Sequence, residues 1–232
     1  MKVNAEFVTS ATSPAGFPKD GLPELALAGR SNVGKSSLIN ALVRRKVAHT
    51  SAAPGKTRLA NFYRVAPESV PLFYLVDLPG YGYARGGDAS AREFETITTA
   101  YFDRGARRQA STGFSSGADR EGRGTDSVAG ILLLVDSRHP GLESDLRAWE
   151  WIGSLSRPRG LVATKIDKLS RSERTRHLRE LERLHATPAL GVSAQTGEGL
   201  KELWELIATW LRPSPPKKPS SKPAPPSRQR SI

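Results

Sequence analysis

The chain has no cysteine and a single methionine in 232 residues. Without cysteine there is no disulfide scaffold and no zinc or iron–sulfur centre held by thiolates. That absence also suits a reducing compartment. Long hydrophobic runs are missing too. The longest unbroken aliphatic stretch is Ile131–Val135, far short of the roughly 20 residues that span a bilayer as a helix. Met1 to Pro14 carries one lysine and no long apolar stretch, which does not read as a secretory signal. Acids are scarce beside bases, 23 against 35, giving a formal net charge of +12. These absences describe a basic cytoplasmic protein with no membrane segment. Its partner is expected to be a polyanion, with nucleic acid first. The length suits one domain with an appendage, enough to bury a real core.

The positive charge is concentrated. Residues 42–66 hold Arg44, Arg45, Lys46, Lys56, Arg58 and Arg64 and no acid. Residues 213–232 hold Lys217, Lys218, Lys222, Arg228 and Arg230, again with no acid. Those two blocks account for eleven of the twelve excess charges. The second block has seven prolines and a single terminal isoleucine as its only large apolar residue. It cannot bury a core and reads as a disordered basic tail, with the domain spanning 1–212. Ser111–Ser127 is rich in Gly, Ser and charge and reads as a flexible insertion loop.

Between these segments, strand and helix signals alternate. Leu22–Ala28, Ala60–Val65, Val70–Asp77, Val128–Asp136, Gly160–Thr164 and Ala189–Ser193 read as six strands. Val128–Asp136 is almost wholly apolar, as a strand covered on both faces should be. Ser36–Arg45 and Asp88–Arg108 read as helices. Leu142, Leu146, Trp149 and Ile152 mark another helix, as do Leu178, Leu181 and Leu184. Leu200, Leu203, Trp204, Ile207, Ala208 and Leu211 form one apolar helical stripe. Trp149, Trp204 and Trp210 are read as core. The pattern predicts an α/β fold, an open and mostly parallel six-stranded sheet with one antiparallel strand and helices on both faces. Its ligand should lie beyond the carboxyl ends of the strands.

At such a strand end, Gly29, Arg30, Ser31, Asn32, Val33, Gly34, Lys35 and Ser36 fit G-x-x-x-x-G-K-[ST] between a strand and a helix. Glycines let consecutive N–H groups face an anion, and the helix adds its positive end. Lys35 is expected to reach the β- and γ-phosphates, and the Ser36 hydroxyl to ligate Mg²⁺. Thr164, Lys165, Ile166 and Asp167 end another strand. A carboxylate there can accept from guanine N1–H and the exocyclic amine, a donor pair adenine lacks. Ser193 and Ala194 follow the last strand and would complete the base pocket. Asp77, Leu78, Pro79 and Gly80 give a D-x-P-G turn. The carboxylate can hold Mg²⁺ through water, and the Gly80 N–H can meet the γ-phosphate. Thr57 lies between the helix and the next strand, in place to be a second Mg²⁺ ligand.

With those residues in hand, the sequence resembles the TrmE–Era class of P-loop GTPases, and within it the EngB (YihA/YsxC) family. The matching stretches are residues 29–42, 54–63, 75–84, 136–140 and 164–169, within a resemblance that runs from about Phe7 to Leu211. The resemblance implies a GTPase that assists assembly of the large ribosomal subunit and is needed for normal cell division and septation. It implies that Gly55, Lys56, Thr57, Arg58 and Leu59, and Ser193, Ala194 and Gln195, line GTP or GDP with the motifs above. Lys35, Thr57 and Gly80 become the candidate catalytic residues, and Ser36, Thr57 and Asp77 the Mg²⁺ set. In relatives of the wider class an asparagine at the position of Asn32 helps bind potassium, a second candidate cation.

Ras-like proteins place a glutamine after the D-x-x-G glycine to orient water, and here that position is Tyr81. Slow intrinsic hydrolysis is expected. The basic block over 42–66 includes the Thr57 segment, which should order with GTP, and is expected to meet ribosomal RNA. The protein is expected to act as a monomer. Two other readings are an RNA-binding module with a vestigial nucleotide site and a P-loop ATPase or kinase. Intact Lys35, Ser36, Thr57, Asp77 and Asp167 oppose the first, and Asp167 opposes the second.

Overall fold

A computed structural model describes residues 2–49, 59–81, 96–103 and 127–212. The strands are β1 (Val3–Ala11), β2 (Glu24–Gly29), β3 (Ala60–Pro67), β4 (Phe73–Asp77), β5 (Val128–Asp136), β6 (Arg159–Thr164) and β7 (Ala189–Gly191). The helices are α1 (Lys35–Val43), α2 (residues 96–103), α3 (Glu143–Ser154), α4 (Arg171–His185) and α5 (Leu200–Leu211). The strands form one sheet in the order β1-β3-β4-β2-β5-β6-β7. β3 pairs antiparallel with both β1 and β4, and the remaining pairs are parallel. One strand thus runs against the others, as expected.

The sheet has seven strands rather than six. The addition is β1, an edge strand paired only with β3, from Val3 opposite Pro67 to Ala11 opposite Ala60. Only Ala5 and Ala11 are buried along it, and Phe7 is 52% exposed. A strand at the sheet edge, mostly in contact with water, carries little hydrophobic alternation to read.

The sheet divides two cores, and β5 shows why its sequence is apolar up to its final Asp136. Ile131, Leu133 and Val135 face one core with Phe62, Trp149, Ile152 and Leu181. Leu132 and Leu134 face the other with Leu38, Ile39, Leu42, Leu203 and Ile207. Successive side chains point to opposite faces, so covering both faces leaves no polar position before the strand's carboxyl end. Each fully buried leucine contributes about 1.5–3 kcal/mol. Trp149 is buried, and Trp204 and Trp210 pack on the second core. A β-carbon at Gly130 would stand 2.2 Å from Trp210 Cε3, so this close approach needs a glycine in β5.

Phe17, Phe62, Tyr74 and Tyr101 cluster with ring centroids 5.4 to 6.2 Å apart. The Tyr101 hydroxyl donates to Glu24 Oε2 at 2.8 Å, tying α2 to the start of β2. Ser170 and Glu173 form a reciprocal capping box at the start of α4, which satisfies end N–H groups that no helical carbonyl reaches. Among the described residues no helix is long and apolar enough to cross a membrane. The Ser111–Ser127 loop except its last residue, the tail after Arg212 and most of the 88–108 helix lie outside the described residues.

Candidate nucleotide site

β2 runs into the glycine-rich loop because its last residue has no side chain. A β-carbon on Gly29 would stand 2.8 Å from the Leu134 carbonyl oxygen. The loop then takes left-handed backbone at Asn32 (φ 62°) and Gly34 (φ 109°) before α1 begins at Lys35. Asparagine tolerates that conformation, and glycine adopts it without steric cost. Gly34 caps α1 and offers no side-chain acceptor, so the helix end keeps its N–H groups and positive dipole for an anion.

Lys35 is buried, with Nζ donating to the Gly29 carbonyl at 3.2 Å and lying 3.9 Å from Asp77 Oδ1. Burial lowers its pKa, and the Asp77 charge opposes that. Asp77, at the end of β4 and opposite Leu27 of β2, is 2% exposed. Its Oδ2 accepts from Ser36 Oγ at 3.3 Å, while Oδ1 accepts no hydrogen bond. Burial raises this carboxyl, against the pull of Lys35 and Ser36. A hydroxyl and a buried carboxylate with an unused lone pair are hard oxygen donors, and they fit Mg²⁺.

The D-x-P-G turn closes against the loop. The Leu78 N–H donates to the Leu27 carbonyl at 3.1 Å, and Leu78 and Pro79 are buried. A β-carbon on Gly80 would meet Ser31 N at 2.8 Å. The Ser31 N–H donates to the Tyr81 carbonyl at 3.2 Å. The Tyr81 hydroxyl donates to Asp145 Oδ1, in the first turn of α3, at 2.9 Å. Burial raises the Tyr81 phenol, as does Asp145, so it remains a protonated donor. That hydroxyl is committed to α3 and cannot orient water as a glutamine would. Arg30 Nε stands 3.2 Å from the same Asp145 oxygen, an ion pair by distance in which that nitrogen lacks hydrogen-bond alignment.

At the other end, the Thr164 hydroxyl donates to the Val33 carbonyl at 2.7 Å, joining β6 to the loop. Lys165 takes left-handed backbone (φ 61°), and its Nζ donates to the Asn32 carbonyl at 2.6 Å and to Asp136 Oδ2 at 2.9 Å. Arg138 grips Asp136 with Nε at 2.9 Å and a terminal nitrogen at 2.7 Å. Burial alone would raise this carboxyl, but hydrogen bonds from Arg138 and Lys165 hold it well below the usual range. Ile166 is buried. Asp167 Oδ1 accepts from Ser193 Oγ at 2.7 Å, and Oδ2 lies 3.3 Å from Lys168 Nζ. Burial works against ionisation there too, and Ser193 and Lys168 lower the carboxyl regardless. Ser193 Oγ in turn accepts from the Gln195 and Thr196 N–H groups at 3.2 and 3.0 Å. Ala194 and Gln195 also border a surface cavity of about 600 Å³ shared with Leu42, Arg44, Lys201 and Trp204.

The fold therefore gathers residues 29–36, 77–80, 164–167 and 193–195 at the carboxyl edge of β2, β4, β6 and β7. Gly55, Lys56, Thr57 and Arg58 lie outside the described residues, and Leu59 directly precedes β3. Two participants escaped the sequence reading as site residues. Asp136 ends β5 between two motif-bearing strands, a position the switch-point rule marks for ligands. Asp145 lies on the buried face of α3 with Trp149 and Ile152, and an acid on an apolar helical stripe was its signal.

The "50S ribosome-binding GTPase" family matches residues 24–165. The probable GTP-binding protein EngB of Pelotomaculum thermopropionicum is 45% identical over 217 residues, covering 91% of this chain and 98% of the relative. Its namesake in Thermotoga maritima is 38% identical over 213 residues, covering 90% and 97%. Among solved structures, a probable GTP-binding protein EngB superposes with a TM-score of 0.56 at 18% identity, covering 81% of this chain and 98% of that one. Era bound to MgGDPNP and nucleotides 1506–1542 of 16S ribosomal RNA superposes at 0.62 with 24% identity, covering 87% of this chain. This chain spans 60% of that Era chain. At those identities the structures speak for the fold alone.

Proposed function

The chain belongs to the EngB family of GTP-binding proteins and is a GTPase, and from that premise we propose a slow molecular switch that assists assembly of the large ribosomal subunit. The observation that carries the reading is the pairing of Lys35, Ser36 and Asp77 at one end of a sheet edge with Asp167 and Ser193 at the other. The first cluster suits phosphates and a divalent cation, and the second suits a base that donates two hydrogen bonds.

In this reading the N–H groups from Gly29 to Ser36 cradle the phosphates and Lys35 neutralises their charge. Lys165 lays its stem along the base, and Asp167 accepts from guanine. Ala194 and Gln195 close the pocket through backbone. Residues 55–59 would line the nucleotide as well. Ser36 and Thr57 would hold Mg²⁺, with Asp77 acting on it through water. When bound, Mg²⁺ supplies charge neutralisation at the β- and γ-phosphates. Gly80 presents its N–H to the γ-phosphate. Because the Tyr81 hydroxyl is bound to Asp145, no side chain at that position orients the attacking water, and hydrolysis by the free protein is slow. Asn32, exposed in its left-handed turn, is the side chain to which a potassium ion would bind. Replacing sodium by potassium should raise the hydrolysis rate several-fold, and equal rates would remove Asn32 from that role.

Arg44, Arg45 and Lys46 are exposed at the end of α1, free to meet RNA phosphates. Arg64, in the same block, lies 3.8 Å from Glu6 across the β1–β3 pair, so its charge is partly spent within the fold. The family description names a 50S ribosome-binding GTPase, which supports the large subunit as partner. A cytoplasmic monomer with a role in septation accords with this reading. The test is co-sedimentation with purified large subunits. A non-hydrolysable GTP analogue should retain the protein in the pellet at salt concentrations where GDP releases it. Equal retention with both nucleotides would refute the switch.

A further inference from the structure

Arg30, Tyr81 and Asp145 meet in one cluster, with Tyr81 and Asp145 buried and the Arg30 side chain 26% exposed. Three segments far apart in the chain supply them: the phosphate loop, the residue after the D-x-P-G turn, and the first turn of α3. Asp145 is 2% exposed and Tyr81 9% exposed. Both the Tyr81 hydroxyl, at 2.9 Å, and Arg30 Nε, at 3.2 Å, converge on the single oxygen Oδ1. Burial raises the Asp145 carboxyl, and Arg30 and Tyr81 pull it back. A buried carboxylate is costly unless paired and hydrogen-bonded, so these contacts are not incidental to it.

The backbone of the same residues is coupled as well. Arg30 and Tyr81 form an isolated parallel β-bridge, with the Ser31 N–H donating to the Tyr81 carbonyl at 3.2 Å. Gly80 packs so closely on Ser31 that a β-carbon would stand 2.8 Å from its nitrogen. Tyr81 is therefore gripped twice, by its carbonyl at the phosphate loop and by its hydroxyl at α3. The residue that precedes it inherits that constraint.

We propose that Arg30, Tyr81 and Asp145 form a positioning clamp that holds the Gly80 N–H against the phosphate loop, so that a γ-phosphate meets a donor already in place. This rests on the reading of Gly80 as the γ-phosphate contact given above. In this proposal the three side chains are positioning groups for the turn. They act through Gly80, and their value is that of preorganisation: an unclamped turn must be ordered each time a triphosphate binds. GDP has no γ-phosphate and gains nothing from the clamp. The clamp thus serves discrimination between GTP and GDP and the rate of hydrolysis, and not nucleotide affinity in general.

The test measures affinities for GDP and for a non-hydrolysable GTP analogue, with kcat and KM for GTP, in the full chain with Mg²⁺. Tyr81→Phe removes one oxygen and leaves the ring packed. It should lower the preference for the analogue over GDP about tenfold, with a matching fall in kcat, while GDP affinity stays within about twofold. Asp145→Ala should do the same, and Tyr81→Phe combined with Asp145→Ala should be no worse than Asp145→Ala alone, since both break one clamp. Asp145→Asn keeps an Oδ1 acceptor for Tyr81 and should recover most of the preference. If analogue and GDP affinities fall together in Tyr81→Phe, the contact is structural and the clamp is refuted. Additive losses in the double variant refute it equally. Gly80→Ala separates the two layers. Should Gly80→Ala abolish the preference while Tyr81→Phe and Asp145→Ala keep it, the clamp fails and the Gly80 reading stands. Should Gly80→Ala keep the preference, the Gly80 reading itself fails.

Discussion

The two ends of the proposed nucleotide site, one for the base and one for the phosphates, are built on opposite electrostatic terms. At the base end, Asp136 and Asp167 are held ionised despite burial, because arginine, lysine and serine donors satisfy them. At the phosphate end, Asp77 is pushed up and Lys35 pushed down, both chiefly by burial, and one Asp77 oxygen accepts no hydrogen bond. At the base end each carboxylate already has a donor or cation that holds it in place. The phosphate end holds an under-compensated pair whose charges a triphosphate and a divalent cation would balance. Selectivity for a base requires fixed acceptors in a fixed place, whereas a sensor of the phosphate chain works by changing when charge arrives.

Substitutions can sharpen or break that contrast. Lys35→Ala removes the cation from the phosphate end and should lower GTP affinity by about 100-fold or more. Titration with GTP checks this, and an unchanged affinity would show that the loop N–H groups suffice. Asp167→Asn tests the base end. An amide cannot accept both guanine donors, so GTP affinity should fall about 10- to 100-fold. A triphosphate whose base carries a carbonyl in place of the exocyclic amine should gain affinity in the same variant. Loss of both nucleotides together would mean that the Ser193 network, and not recognition, had been damaged.

The smallest effect concerns pH. The Asp136 carboxyl lies below its unfolded value, so its contribution to stability is complete above about pH 4 and is lost as the pH falls from there through the folded-state value. Asp136→Asn should lower stability at neutral pH by about 1–3 kcal/mol. It should also flatten the decline in urea midpoint below about pH 4 relative to the unsubstituted protein. Parallel declines in both proteins would assign the acid sensitivity to other carboxylates.

The legible part of this molecule was the part written in short contiguous stretches. Residues 29–36, 77–80 and 164–167 each carry their chemistry in a few neighbouring positions, because a turn or a strand end presents consecutive residues to one ligand. β5 was legible for a different reason: burial on both faces leaves a run with no polar interruption. β1 was not, since an edge strand with seven of nine residues partly or fully exposed has no stripe to detect. Asp145 escaped the sequence reading, and its only signal there is an acid on an apolar helix face. Its partner Tyr81 lies 64 positions away, and no local pattern encodes that contact.

The sequence by itself determined the α/β class, the order of the motifs along the chain and the residue types that a nucleotide requires. Those follow from spacing and backbone chemistry, which act over a few residues. Only the tertiary structure decided that Arg30 lies beside Asp145, that the Tyr81 hydroxyl is buried against α3, and that Lys165 bridges Asn32 to Asp136. Each of these depends on which strand ends the sheet order brings side by side. That order comes from packing two cores against a seven-stranded sheet.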